Sequence, residues 1–156
     1  MRVSISLGNK ELHIFSVYAP DISKPKETRE VFYDQLHNEI QTIPIDQNII
    51  IMGDLNARVG NDIISGIKQR FNEDIKNDNG DLLIDLCSQN NLRINNTFFP
   101  HKWKHKYTWS NSRDQKTVID YFITNRCFSP EQILDVRTLM HQTSEVITKA
   151  HLKNKI

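Results

Sequence analysis

The sequence is poor in cysteine, in long apolar runs and in excess charge of either sign. Its two cysteines, Cys87 and Cys127, lie far apart and form no C-x-x-C pair. This argues against a disulfide framework or a zinc site and fits a reducing compartment. No apolar run approaches the roughly 20 residues that cross a membrane, and residues 1–7 lack the apolar core of a signal peptide. These absences predict an intracellular protein, nuclear or cytoplasmic, that makes no membrane contact.

The charge balance bears on nucleic-acid binding. The net charge is +1 at pH 7, so the chain as a whole should not attract nucleic acid strongly, and such binding would need a local basic patch. With 156 residues, 38% hydrophobic and 25% charged, the chain is long enough for one domain with a sizeable core. We predict a single domain over residues 1–153, followed by a short tail at 154–156.

The apolar pattern predicts an alternation of strands and helices. Alternating residues at 2–7 and 11–18 predict a hairpin. A helix is predicted from Thr28, as N-cap, to about Thr42, with its apolar stripe on Phe32, Leu36, Ile40 and Ile43 and with Arg29 elsewhere. A second helix is predicted from 79 to 91, and further strands at 49–52, 92–95, 118–123, 133–139 and 146–147. Strand, helix and strand in this order favour an α/β or mixed sandwich over an all-β fold.

One stretch stands out in this pattern. Residues 49–52 read Ile-Ile-Ile-Met, an apolar run without alternation that predicts a strand buried on both faces. Gly53, Asp54, Leu55 and Asn56 follow it. A carboxylate and an amide at the end of a rigid strand can hold a cation, an activated water or a phosphate oxygen. On these four residues alone a turn is the commoner explanation, because glycine, aspartate and asparagine are turn residues.

A second acid, Asp120, lies within an otherwise apolar predicted strand. A carboxylate in that position is costly unless it is paired or hydrogen-bonded, so Asp120 is a candidate site residue. The alternative is an ordinary aspartate on an edge strand. The polar connection over residues 60–78 is unusually long, and such loops are commonly functional or poorly ordered.

Cations and aromatics alternate over residues 101–109, with Lys102, Lys104, Lys106 and Trp109 among them. This composition suits a phosphate backbone and stacked bases. The alternative is a surface strand whose lysine stems cover apolar neighbours.

Together these motifs, in this order, resemble one family: the exonuclease–endonuclease–phosphatase superfamily of DNase I-like and apurinic-site endonucleases. More narrowly, they are similar to the endonuclease domains of non-LTR (LINE-type) retrotransposons and to craniofacial development protein 2-like proteins. The resemblance covers nearly the whole chain. The motifs that carry it are residues 17–20 (Val-Tyr-Ala-Pro), 53–57 (Gly-Asp-Leu-Asn-Ala), 79–83 (Asn-Gly-Asp-Leu-Leu), 107–110 (Tyr-Thr-Trp-Ser) and 119–121 (Ile-Asp-Tyr).

The resemblance implies an α/β (α+β) fold, a four-layer sandwich of two mixed β-sheets flanked by helices, and Mg²⁺-dependent hydrolysis of DNA phosphodiesters. Asp54 and Asn56 would activate the attacking water and bind the scissile phosphate. Tyr18 would donate a hydrogen bond from its phenolic hydroxyl to that phosphate, and Asp120 would hold and polarise a histidine. Trp109 would shape the substrate groove, with the three lysines of 101–109 as further substrate contacts.

Two departures from the family pattern weaken the expected activity. The family opens with a strand–helix–strand unit that carries a metal-binding glutamate, and no glutamate here matches it, so we expect a sheet without that unit and with an exposed apolar edge. The family's closing Ser-Asp-His is replaced by Ser144, Glu145 and Val146. Glu145 is a weak candidate metal ligand, and the histidine is replaced. Loss of one member of a catalytic unit commonly removes most of the rate.

The sequence therefore predicts a metal-dependent phosphodiesterase-type domain with weak or absent turnover. Two alternatives stay open: a non-catalytic nucleic-acid-binding relic, and a phosphatase or nuclease of the same superfamily that acts on another phosphate ester.

Overall fold

A five-stranded mixed sheet forms the centre of the protein, with two helices on one face and a two-stranded hairpin on the other. The computed structural model describes residues 1–140 and 146–153. The elements are β1 (Arg2–Leu7), β2 (Lys10–Tyr18), α1 (Lys26–Gln41), β3 (Asn48–Asp54), α2 (Asp78–Gln89), β4 (Leu92–Ile94), β5 (Trp109–Ser110), β6 (Lys116–Thr117), β7 (Asp120–Asn125), β8 (Ile133–Met140) and β9 (Val146–Leu152).

The strand order in the main sheet is β1-β2-β3-β7-β4. β2 and β3 are parallel, with α1 between them in the chain, and the other neighbours are antiparallel. β5–β6 and β8–β9 form separate two-stranded sheets. The mixed sheet with flanking helices confirms the α/β fold class. β1 is an outer strand whose Val3 and Ile5 are 45% and 43% exposed, so an edge with exposed apolar side chains is present, as predicted.

The apolar run at 49–52 is buried on both faces, as predicted. Ile49 and Ile51 pack with the helices, whereas Ile50 packs with the β8–β9 hairpin. Alternate residues of a strand point to opposite faces, so a strand with two covered faces needs an apolar residue at each position. β3 is accordingly the strand that joins the two layers of the core.

The predicted start of α1 was wrong. The helix begins at Lys26, Pro25 occupies the N-cap position, and no side chain caps the end. Thr28 lies instead in the first turn, where its N–H donates to the Pro25 carbonyl oxygen at 3.1 Å. The fixed φ of proline already suits the entry to a helix, so a threonine cap is unnecessary.

The predicted helix stripe also needs a correction, because Arg29 lies on the buried face and Phe32 is only partly buried. The Arg29 guanidinium donates to Asn79 Oδ1 at 3.1 Å and to Asp78 Oδ2 at 3.2 Å. These bonds to the start of α2 allow a cation to lie between the helices, which a purely apolar pattern does not anticipate.

The long connection between β3 and α2 is anchored by polar groups rather than apolar ones. Lys68 has no exposed surface, and its ammonium donates to the Asp62 carbonyl oxygen at 2.6 Å and to Asp62 Oδ1 at 2.8 Å. The connection also runs along the outer strand: Ile94 N–H donates to the Ile67 carbonyl oxygen at 2.8 Å. The segment is therefore part of the folded body.

Two strand boundaries differ from prediction. β7 begins at Asp120, not at residue 118, because Val118 N–H donates to the buried Glu73 carboxylate at 3.0 Å rather than to a strand. β9 extends to Leu152, well beyond residue 147. The proposed tail at 154–156 lies outside the described residues. In the part of the chain that the structure describes, no helix has the length and apolar character needed to cross a membrane.

Candidate functional site

Three of the predicted site residues meet at one end of the main sheet. β2 and β3 are parallel and end together, so Tyr18 pairs with Asp54. β7 runs in the opposite direction and begins at that same end, so Asp54 also pairs with Asp120. By strand alternation all three lie on the face that carries Phe122, which packs toward the β8–β9 hairpin. We call Tyr18, Asp54, Asn56 and Asp120 the acidic rim.

A glycine makes this end of the sheet possible. Gly53 has φ +134°, and a Cβ there would lie 2.1 Å from the Val17 carbonyl oxygen on β2. Any larger residue would force the two strands apart. Beyond Gly53, the backbone N–H of Leu55 donates to the Ile119 carbonyl oxygen at 2.9 Å. The chain after β3 is thus fixed to the chain before β7.

Asn56 makes the segment both a turn and a site element. Its φ is +46°, a left-handed conformation that asparagine tolerates better than most residues. Its N–H donates to Asp54 Oδ1 at 2.8 Å, and its side-chain amide donates to the Ala19 carbonyl oxygen at 2.8 Å. The amide has a second N–H, and its oxygen accepts no hydrogen bond from a described residue. The turn holds Asp54 and leaves Asn56 able to bind a ligand.

Burial raises the pKa of both carboxyls in the acidic rim. For Asp54, the hydrogen bond from the Asn56 N–H opposes part of that rise. For Asp120, burial again raises the pKa most, a hydrogen bond from Thr108 lowers it, and the Asp54 charge raises it further. No described lysine or arginine forms an ion pair with either acid. The site therefore holds two half-buried carboxylates whose charge is uncompensated by the described protein.

This donor set fits a hard cation. Mg²⁺ is commonly bound through one or two carboxylates and keeps several waters, and Asp54 and Asp120 offer two, with Asn56 as a nearby amide. Within the described ranges, no three or more histidine, cysteine or acidic side chains form a complete metal site. The third predicted ligand, Glu145, lies outside the described residues, as does the rest of the 141–145 segment.

The two aromatic residues predicted for the site lie at the surface. Tyr18 is 76% exposed, and its hydroxyl makes no hydrogen bond to a described residue. Trp109, in β5, is 46% exposed. Thr108, just before it, is buried and accepts hydrogen bonds from the N–H groups of Ile119 and Asp120 at 2.9 and 3.1 Å. This contact fixes the end of the basic segment next to Asp120.

The three lysines of the basic segment are not equivalent. Lys102 and Lys104 are exposed and form no ion pair with a described residue. The Lys106 ammonium instead lies 4.8 Å from the ring centre of Trp103, and burial lowers its pKa. The segment forms a short 3₁₀ turn at Trp103–His105 rather than a continuous surface strand, although Lys106 covers aromatic neighbours as that alternative predicted.

Sequence reasoning missed the residues that hold Asp120 in place. Besides Thr108, the side chain of Asn96 donates to the Asp120 carbonyl oxygen at 3.3 Å and accepts from Phe122 N–H at 2.8 Å. β7 lies between β3 and β4, but β4 pairs only with residues 123–125, so at Asp120 the side away from β3 is covered by the side chains of Asn96 and Thr108 rather than by a strand. Asn96 lies in a polar run that carries no distinctive motif, and its role depends on a strand far away in the chain.

Comparison with known proteins agrees with this architecture. No family model matches the sequence. Craniofacial development protein 2 from Bos taurus is 36% identical over 116 residues, which cover 72% of this chain and 19% of that protein. The protein of the same name from Tragulus javanicus is also 36% identical over 116 residues, 72% of this chain and 20% of that protein. The chain thus matches about a fifth of the length of these curated relatives.

Among solved structures, an endonuclease/exonuclease/phosphatase family protein from Leptotrichia buccalis C-1013-b superposes with a TM-score of 0.65. The superposition covers 97% of this chain and 52% of that one, at 11% sequence identity, so this likeness concerns the fold. The fold and the sequence matches confirm two parts of the resemblance drawn from the motifs, the superfamily fold and the similarity to craniofacial development protein 2. The chain has the fold of the endonuclease/exonuclease/phosphatase superfamily and, over most of its length, is a relative of craniofacial development protein 2.

Proposed function

We propose that the acidic rim is the phosphate-binding centre of a Mg²⁺-dependent phosphodiesterase domain that acts on DNA, with weak turnover in this chain. The observation that carries the proposal is the register pairing of Asp54 with Asp120, two acids with raised pKa and no cationic partner among the described residues. Like charges directly opposite one another destabilise a sheet. A function that needs a bound cation explains why both are acids.

Each residue has a chemical task at this centre. Mg²⁺, when bound by Asp54 and Asp120, would supply charge neutralisation for the phosphate oxygens. Asp54, whose Oδ1 accepts the Asn56 N–H at 2.8 Å, would orient the attacking water and accept its proton. The free amide N–H of Asn56 and the hydroxyl of Tyr18 would donate to oxygens on which negative charge grows.

Weak turnover follows from what is absent around Asp120. No histidine in the described ranges forms a hydrogen bond to it, so the histidine that the resemblance pairs with this acid has no counterpart among the described residues. General acid catalysis typically contributes about 10²–10⁴-fold. We therefore expect the proposed centre to bind phosphate esters but to cleave them slowly.

A plasmid-nicking assay tests the centre directly. Supercoiled DNA is incubated with the protein in Mg²⁺ or in EDTA, and nicked circles are counted over hours. We expect slow nicking that requires Mg²⁺, is lost in Asp54→Asn and is retained in Asp85→Asn, a control at an exposed position on α2. Fast nicking that Asp54→Asn abolishes would refute weak turnover. Equal rates in both variants would refute the site.

The preference for DNA rests on the retrotransposon-like motifs and needs its own comparison. The same protein is offered plasmid DNA, single-stranded RNA and a phosphoinositide, with Mg²⁺ present. Cleavage of DNA alone is the expected result. Preferential release of phosphate from the lipid would instead assign the domain to the phosphatases of the superfamily.

A second candidate is non-catalytic binding of nucleic acid by the basic segment. It is favoured by the free lysines at 102 and 104 and by Trp103, which is 49% exposed and stacks on Tyr107 with ring centres 5.3 Å apart. Replacing both lysines with glutamine should reduce the slope of log affinity against log salt by about 2. The matched control is replacement of Lys24 and Lys153, two exposed lysines elsewhere in the chain. An equal effect of the two pairs would contradict this candidate.

A further inference from the structure

The opposite end of the main sheet carries two arginines without acidic partners. Arg93 on β4 pairs with Thr124 on β7, and Arg126 follows the last residue of β7. Strand alternation places Arg93, opposite Thr124, on the face that carries Phe122, whereas Arg126 lies in the turn after β7. We call Arg93 and Arg126 the basic rim. It lies about 20 Å from the acidic rim, since six residues of β-chain separate Asp120 from Arg126.

Both arginines line one open cavity of about 360 Å³, within the size range of small-molecule sites. Phe98, Phe128 and Pro130 supply its apolar wall, and none of its lining residues is acidic. The cavity therefore combines cationic donors with aromatic and aliphatic surface.

The Arg93 side chain is held by stacking, but its buried Nε lacks a hydrogen-bond partner among the described residues. Its guanidinium carbon lies 3.7 Å from the ring centre of Phe98, so stacking fixes the plane of the group. Its Nε is buried and makes no hydrogen bond, and none of its other donors bonds to a described residue. A buried donor without a partner is costly, and the stacking contact explains the orientation of the guanidinium without satisfying its N–H groups.

Arg126 is exposed and forms no ion pair with a described residue. One of its terminal nitrogens lies close to Gly66, since a Cβ built on that glycine would be 3.1 Å from it. The glycine lets the guanidinium lie against the backbone of the connection. Guanidinium groups bind phosphate through paired hydrogen bonds, and this cavity brings together Arg93, held by stacking, and the exposed Arg126.

We propose that the basic rim binds a phosphate monoester that carries a flat ring, of the mononucleotide type. Arg93 and Arg126 donate to the phosphate oxygens, and the ring packs against the apolar wall formed by Phe98, Phe128 and Pro130. The site is separate from the acidic rim and needs no metal ion.

Titration calorimetry in EDTA tests the proposal with three probes: adenosine 5′-monophosphate, inorganic phosphate and adenosine. The monophosphate should bind with a dissociation constant of about 1 mM or tighter. Inorganic phosphate and adenosine should each bind at least about tenfold more weakly, because the first lacks the ring and the second lacks the phosphate. Absence of monophosphate binding, or equal binding of inorganic phosphate, would overturn the proposal.

Three variants locate the binding. Arg126→Gln should weaken the monophosphate by about tenfold or more, the usual effect of losing a charged hydrogen bond. Arg93→Lys keeps the charge but loses the planar guanidinium with its paired N–H donors, and should also weaken binding of the monophosphate. Arg113→Gln, at an exposed turn position, is the matched control and should bind normally.

Asp54→Asn separates this site from the proposed active site and should leave monophosphate binding unchanged. Loss of binding in that variant would place the ligand at the acidic rim and overturn the inference. Unchanged monophosphate binding in Arg126→Gln would also overturn the inference.

Discussion

At one end of the main sheet, Asp54 and Asp120 lie opposite one another on paired strands, whereas at the other end Arg93 on β4 and Arg126, just after β7, line one cavity that has no acidic lining residue. Asp54, Asp120 and Arg93 face the same side of the sheet. The comparison shows how one strand, β7, separates an acid at its start from a cation just beyond its end by about 20 Å. In each rim the charge is uncompensated by described residues, so each rim is suited to a ligand of opposite charge.

The rims also differ in how they are built. The acidic rim is fixed by backbone hydrogen bonds and by the close approach at Gly53. The basic rim depends on side-chain stacking and on the connection anchored by Lys68. Perturbing each support separately should therefore disturb one rim more than the other.

The largest effect is expected from Gly53→Ala. The new Cβ would lie 2.1 Å from the Val17 carbonyl oxygen at φ +134°, so β2 and β3 must separate. We expect the free energy of unfolding to fall by about 3 kcal/mol or more, since overpacking and backbone strain add. Urea unfolding measures it. Gly8→Ala is the control, because nothing lies within 4 Å of its Cβ. Equal losses in both variants would contradict the close approach.

A smaller effect is expected from Lys68→Met, which should loosen the basic rim. The carbonyl oxygens of Gly60 and Asp62 would lose the buried ammonium, and an unsatisfied buried group costs about 1–3 kcal/mol. Lys76→Met removes an exposed pair with Asp81 and should change stability by less than about 0.5 kcal/mol. Hydrogen exchange should speed up over residues 60–68 in the first variant only. No change there would contradict the anchoring role.

The Asp120→Asn variant should be slightly more stable than the wild type near neutral pH. The folded-state pKa of this acid is raised above 3.8, so the folded protein holds the proton more tightly and loses stability as the pH rises through that window. Removing the charge opposite Asp54 should gain about 0.2–1 kcal/mol, a gain that disappears below pH 3.8. Denaturation at several pH values measures it.

Addition of Mg²⁺ should make the wild type more stable than the Asp120→Asn variant. A cation bound only by the folded state raises its stability, and the wild type binds it better than the variant. Thermal unfolding with Mg²⁺ and with EDTA gives the comparison. An equal Mg²⁺ response in the two proteins would contradict cation binding at the acidic rim.

The smallest stability change is expected from Tyr18→Phe. The hydroxyl is exposed and without a partner among the described residues, so the free energy of unfolding should change by less than about 0.5 kcal/mol. Nicking of DNA should nevertheless slow by about 2–12-fold, the loss of one hydrogen bond. An unchanged rate would remove Tyr18 from the centre and leave the acids and Asn56.

Much of the acidic rim could be predicted from sequence. Turn chemistry at Gly53 and Asn56, and the unbroken apolar run before them, are local signals that need no tertiary information. The basic rim could not be predicted, because Arg93 and Arg126 lie in segments without a motif. The same holds for Asn96 and Thr108, whose contacts with Asp120 join parts of the chain that only folding brings together.

The sequence by itself determined the buried central strand, the glycine that ends it and the polar residues that follow. These depend on side-chain alternation and on conformations available to single residues, which act over a few positions of the chain. Only the tertiary structure decided that Tyr18 and Asp120 lie beside Asp54, and that two arginines share a cavity at the far end. Those arrangements depend on strand register, which packing across the whole sheet sets.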